Sequence, residues 1–104
     1  FENLHSLFFE RPEAVSDEGL AHLRPLRLKQ LDLVQVRNMT DAGVAHIAKI
    51  ETLESLSLWY CENLTNGAIP GLKRLPNLNK IKLFGTKIDQ QAFKSAMPNC
   101  EIVQ

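Results

Sequence analysis

Apolar residues recur along this chain in columns. Leu4, Leu28, Leu53 and Leu78 stand 24, 25 and 25 residues apart. Leu7, Leu31, Leu56 and Ile81 follow them by three, and Phe9, Leu33, Leu58 and Leu83 by two more. Val15, Met39, Leu64 and Ile88 form a fourth column, and Leu20, Val44, Ile69 and Phe93 a fifth. Leu23, Ile47, Leu72 and Ala96 make a sixth. Self-similarity at a fixed period of this length points to a stacked architecture, and it outranks any local reading.

Each period predicts two elements. Leu56-Ser57-Leu58 alternates apolar and polar as a strand does. Ile69, Leu72 and Leu75 have the three-residue spacing of a helix's buried stripe. Between them stand Ser16-Asp17, Thr40-Asp41, Thr65-Asn66 and Asp89, whose short oxygen-bearing side chains suit the first turn of a helix. Two residues past Asp17, Asp41, Asn66 and Gln90 come Gly19, Gly43, Ala68 and Ala92, which would allow close approach. Such a strand and helix cannot bury their apolar side alone. Stacking would pair the strands in a parallel sheet over one continuous core, each buried Leu or Ile contributing roughly 1.5–3 kcal/mol.

Leu28-Lys29-Gln30-Leu31-Asp32-Leu33, followed by Met39-Thr40-Asp41-Ala42-Gly43-Val44, resembles the repeat of the cysteine-containing, ribonuclease-inhibitor-like leucine-rich class. Leu58-Trp59-Tyr60-Cys61-Glu62-Asn63-Leu64-Thr65 is similar to the segment that gives the class its name. The ending, Phe84 to Asp89 and then Ala96-Met97-Pro98-Asn99-Cys100-Glu101-Ile102, resembles the closing repeat of bacterial, planctomycete-type leucine-rich proteins. Pro12, Val36 and Thr86 depart from the cysteine or asparagine of the pattern. The resemblance implies an α/β right-handed leucine-rich solenoid of about four repeats. Its sheet would line a concave face and its helices a convex one. It further implies a non-catalytic module that binds protein through the concave face. Two alternatives accompany it: a substrate adaptor of the F-box type, and a structural domain docked on another domain of the same chain.

One domain over 1–104 is expected, with repeats about 1–27, 28–52, 53–77 and 78–104. The last differs: Phe93 to Cys100 spans seven residues where Ile69 to Leu78 spans nine, and Pro98 ends the helix. Glu101-Ile102-Val103 then supplies an edge strand, a C-terminal cap. The other end lacks such a device, so Leu4, Leu7, Phe9, Val15, Leu20 and Leu23 are expected to form an open apolar face. Upstream residues, a self-associating copy, or a tuck of Phe1 or Phe8 would cover it. The chain is expected to be a fragment of a longer protein.

Composition changes little. Twelve basic and twelve acidic residues cancel, and no run approaches a membrane span. Neither nucleic acid nor membrane is an expected partner. No paired carboxylates, nucleophile–base set or glycine-rich phosphate loop emerges, so an enzyme is not expected, nor a cofactor. Cys61 and Cys100 are the only cysteines and read as free structural thiols. His22 and His46 share one position in consecutive periods but are too far apart for a metal site without a third ligand. Asn38 and Asn63 head N-x-T triplets that the repeat itself generates.

The binding residues are expected on the outward side of the strands. Ser6, Phe8 and Glu10 are followed by Gln30, Asp32 and Val34, then by Ser55, Ser57 and Trp59, then by Lys80, Lys82 and Phe84. Val34, Trp59 and Phe84 should lie side by side at the strand spacing of roughly 4.8 Å. Phe8 should lie diagonally to them, with Tyr60 just beyond. Aromatic rings dominate interface energetics, which makes this row the candidate strip. Lys80 and Lys82 at one end, against Asp32 and Glu10 at the other, would steer a charged partner.

Overall fold

The computed structural model describes residues 5–11, 13 and 15–103. Leu4, Pro12 and Phe1 lie outside the described residues. The fold is α/β. Its five strands are β1 (Ser6–Glu10), β2 (Gln30–Val34), β3 (Ser55–Ser57), β4 (Lys80–Lys82) and β5 (Glu101–Ile102). They form one parallel sheet in chain order, so each connection leads to the adjacent strand. The helices are α1 (Asp17–Leu20), α2 (Asp41–Ile47), α3 (Ile69–Leu72) and α4 (Gln90–Ala96). Two 3-10 segments, Ala21–Leu26 and Asn66–Ala68, complete the helical layer.

The second apolar column becomes a single ladder across the sheet, with Leu7 opposite Leu31, then Leu56, Ile81 and Ile102. Because side chains alternate along a strand, this register sends the whole column to one side. Leu31, Leu33, Leu56, Leu58, Ile81 and Leu83 are buried there. Val44, Ile47, Leu72 and Phe93 meet them from the helices. The 3-10 segments fall where the chain carries proline or glycine: Pro25 lies inside the first, and Pro70 opens α3, where its missing N–H costs nothing. The closing strand β5 pairs with β4 as expected, and Cys100 is buried just before it.

Three of the four expected helix starts carry a cap. Thr40 Oγ accepts from Ala42 N–H, Thr65 Oγ from Gly67 N–H, and Asp89 from Gln91 N–H. Ser16 occupies the same place without a side-chain bond. The second residue of each pair acts differently from the expectation. Asp17 accepts from the backbone and hydroxyl of Thr40 at 2.8 and 2.6 Å. Asp41 holds Thr65 in the same way, and Asn66 Oδ1 accepts from Asp89 N–H at 2.7 Å. These side chains fasten one helix start to the next rather than capping their own.

The expected open apolar face is smaller than its six columns suggested. Leu20 is only 1% exposed. It points along the stack, close enough to α2 that a Cβ on Gly43 would come within 3.0 Å of its Cδ1. Leu20 therefore belongs to the core and not to a self-association surface. Leu7, Phe9, Val15 and Leu23 are half-buried against that core. Among the described residues no helix is long and apolar enough to cross a membrane.

Candidate functional site

The side chains that alternate away from the core form a lattice. One row runs Ser6, Gln30, Ser55, Lys80, Glu101, and the next runs Phe8, Asp32, Ser57, Lys82. In the third row Glu10 stands opposite Val34. Trp59 and Phe84 continue that row past the ends of β3 and β4, because the backbone keeps bonding there. Gln35 N–H donates to Trp59 O at 2.9 Å and Tyr60 N–H to Phe84 O at 2.8 Å. Val34, Trp59 and Phe84 are thus side by side, with Phe8 one row away, as the sequence predicts.

Tyr60 has a larger role than the periodicity assigned to it. Its ring meets Trp59 edge-to-face at a centroid distance of 5.1 Å and Phe84 at 5.4 Å. The three aromatics form a cluster with Tyr60 in the middle, rather than a flat strip. Local backbone geometry makes this fit. Arg11, Gln35, Tyr60 and Gly85 all have positive φ, at 50°, 56°, 57° and 86°. Their spacing of 24, 25 and 25 residues is the chain's own period. Each turns the chain sharply off its strand, and a non-glycine residue adopts this conformation only under tertiary constraint. Gly85 answers a second need: a Cβ there would lie 2.6 Å from Tyr60 Cδ1 and 2.8 Å from its Cα. A glycine in a column otherwise filled by Arg, Gln and Tyr was the available signal of a left-handed turn.

The rings stay open to solvent, with Phe8 55% exposed, Phe84 48%, Trp59 39% and Tyr60 36%. Flanking loops do not close over them. Between Phe8 and Trp59 the sheet forms an open groove of about 460 Å³, floored by Ser57 and walled by Asp32, Val34 and Lys82. Phe84 and Tyr60 lie outside its lining, at the rim, while Val103 from beyond β5 closes the far wall. Ser57 departs from its expected exposure. It is 5% exposed, because it lies between Asp32 and Lys82 on the neighbouring strands and behind Trp59 on its own.

The charges follow the predicted gradient. Lys80 and Lys82 are exposed on β4 and take part in no ion pair among the described residues. At the other end Asp32 accepts from Gln30 Nε2 at 2.8 Å, and Glu10 approaches Arg11 at 3.9 Å. Lys80 and Lys82 therefore line one side of the groove and Glu10 and Asp32 the other, with Ser55, Ser57 and Trp59 between them.

The remaining candidates resolve into structural roles. Cys61 Sγ donates to Leu33 O at 3.4 Å, tying β2 to the turn after β3. Burial pushes its pKa up to about 11, against two opposing backbone hydrogen bonds. Burial likewise raises Cys100 to about 11, with the Glu101 charge adding to it. Thiols so protonated are poor nucleophiles. His22 is exposed and His46 half-buried, and among the described residues no three potential metal ligands cluster. Asn38 Nδ2 donates to Glu13 O at 3.0 Å and Asn63 Nδ2 to Arg37 O at 2.6 Å. Those amides join successive loops.

No family model matches this chain.

Proposed function

We propose that the chain is a leucine-rich repeat solenoid of about four β–α repeats, closest in kind to the cysteine-containing, bacterial class. In this reading it is a non-catalytic module that binds protein through the outward, concave face of its sheet. One observation carries the reading. Phe8 and Trp59, 55% and 39% exposed, both line one groove together with Asp32 and Lys82. Exposed aromatics gathered around one groove are costly to leave in water and are the anchors that interfaces use. The opposed charges would fix the direction in which a partner lies. The 25-residue periodicity, the buried columns and the Asp–Thr links between helix starts support the repeat assignment.

The test is selection of binders from a random peptide library displayed on phage, with the immobilised protein as bait. Peptides that bind the sheet face should lose at least tenfold in affinity on Trp59→Ala or Phe8→Ala. They should be indifferent to Lys94→Ala on α4. Enrichment of peptides insensitive to both aromatic changes would sink the proposal. A second reading, docking onto another domain of the same chain, draws on the half-buried Leu7, Phe9, Val15 and Leu23 beside β1. Peptides or domains that protect those side chains, and not Trp59, would favour it.

A further inference from the structure

The zero net charge of this chain conceals a separation of charge between its two edges. Segments 21–29, 46–54 and 71–79, which lead from helix back to strand, carry six basic and two acidic residues. Segments 10–18, 34–42, 59–67 and 84–92, which lead from strand to helix, carry three basic and seven acidic residues. The parallel stack gathers the first set along one edge and the second along the other.

On the basic edge Arg24, Lys49 and Arg74 occur at intervals of 25 residues. The structure brings all three to the lining of one open groove of about 450 Å³, in which Glu51 is the only acidic residue. An adjoining groove of about 350 Å³ shares Arg24, Lys49 and Glu51 and adds Arg27. None of Arg24, Arg27, Lys49 or Arg74 takes part in an ion pair among the described residues. Helix dipoles do not account for the cluster. The helical segments that precede it are only four to seven residues long, and Arg24 lies in a 3-10 segment. Three cations left to repel one another across one groove oppose folding and gain nothing from each other.

We propose that this edge is an anion-binding site, distinct from the sheet face, that takes a multivalent phosphate-bearing ligand of small-molecule size. The volume lies within the roughly 300–1,000 Å³ range of ligand sites. Two guanidinium groups favour phosphate, whose oxygens accept their paired donors, and the lysine adds a point charge between them. Stacking sets the spacing: neighbouring strands are roughly 4.8 Å apart and neighbouring helices about 8–10 Å, so cations between the two layers fall between those values. Such a row suits a ligand with several linked phosphates better than a single phosphate ion.

The experiment is a titration of the isotope-labelled protein with tripolyphosphate at low salt, followed by amide NMR. Saturable shifts should concentrate around Arg24, Lys49 and Arg74, and the affinity should fall as salt is added. Arg24→Gln with Arg74→Gln should weaken binding at least tenfold, whereas Lys80→Gln with Lys82→Gln should leave it within twofold. Arg24→Lys with Arg74→Lys should retain more binding than the glutamines, which separates loss of charge from loss of fold. Inorganic phosphate and hexaglutamate serve as the other arms, and both should bind more weakly than tripolyphosphate. The proposal is overturned by absence of saturable shifts at millimolar tripolyphosphate, by shifts centred on Lys80 and Lys82, or by equal affinity for hexaglutamate. Those results leave the sheet-face reading untouched, because no residue is shared between the two sites.

Discussion

The carboxylate of Asp41 accepts from both the backbone N–H and the hydroxyl of Thr65, twenty-four residues further along, the first at 2.9 Å. Thr65 in turn caps the following 3-10 turn through Gly67 N–H. A single acidic side chain therefore holds the start of the next helical segment in place. Asp41→Ala should remove both bonds and leave Thr65 N–H without its acceptor, at a cost of about 1.5–3 kcal/mol. Asp41→Asn should cost less, because an amide oxygen can still accept from the backbone, as Asn66 does from Asp89. Urea melts of the two variants measure the difference. Equal costs would mean the backbone bond contributes nothing on its own.

Gly85 and Gly19 make opposite predictions. At Gly85 the backbone is left-handed, and an added Cβ would press on the Tyr60 backbone, which cannot swing aside. Gly85→Ala should destabilise by about 1–3 kcal/mol and alter the Trp59 fluorescence, since the aromatic cluster must shift. At Gly19, inside α1, a Cβ would meet nothing closer among the described residues than Ser16 Oγ at 3.8 Å. Gly19→Ala should stabilise by about 0.5–1 kcal/mol through helix propensity and unfolded-chain entropy. Parallel chemical denaturation of both variants checks the pair. A neutral Gly85→Ala would mean that Tyr60 is free to move.

Much of this was legible because burial dictates periodicity. The columns led by Leu28, Leu31 and Leu33 could belong only to a stacked sheet, and the outward positions of Val34, Trp59, Phe84, Phe8, Lys80 and Lys82 follow from alternation. What periodicity does not carry is the direction of a polar side chain. Asp41 looked like a cap for its own helix and instead binds Thr65, because both roles need an acceptor at a helix start. Ser57 looked exposed because alternation fixes the face of a residue and not the bulk of its neighbours. Leu20 looked exposed because it is the first member of its column. An end residue can nevertheless lean into the stack, and the space opened by Gly43 lets it do so.

That lean gives a direct contrast between two leucines near the same end. Leu20 is fully buried and Leu7 half-buried. Leu20→Ala should cost about 2–5 kcal/mol, within the range for a fully packed core leucine, and Leu7→Ala less than half of the value found for Leu20. Denaturation midpoints at constant slope report both. A larger loss at Leu7 than at Leu20 would mean that Leu7, and not Leu20, carries the packing at this end.

The thiol of Cys61 links the fold to alkaline pH. Its folded pKa of about 11 lies above the ordinary value of 9.0, and burial is the largest cause. The unfolded chain releases this proton first as pH rises, so above 9.0 the unfolded state binds fewer protons and is stabilised relative to the folded one. Stability from this group is fully present below 9.0 and is lost progressively up to about 11. Cys100 should act in the same direction over the same interval. Cys61→Ala costs a hydrogen bond to Leu33 O and some packing at neutral pH, and it also removes one proton release from the unfolded state. The stability difference between wild type and Cys61→Ala should therefore be largest below pH 9.0 and narrow towards pH 11. All other groups are common to both proteins and cancel in the comparison. Urea melts at four pH values across this range would show it, together with slow labelling of both native thiols by a disulfide reagent at pH 8. A constant difference, or rapid labelling of Cys61 in the folded protein, would mean that the thiol reaches solvent.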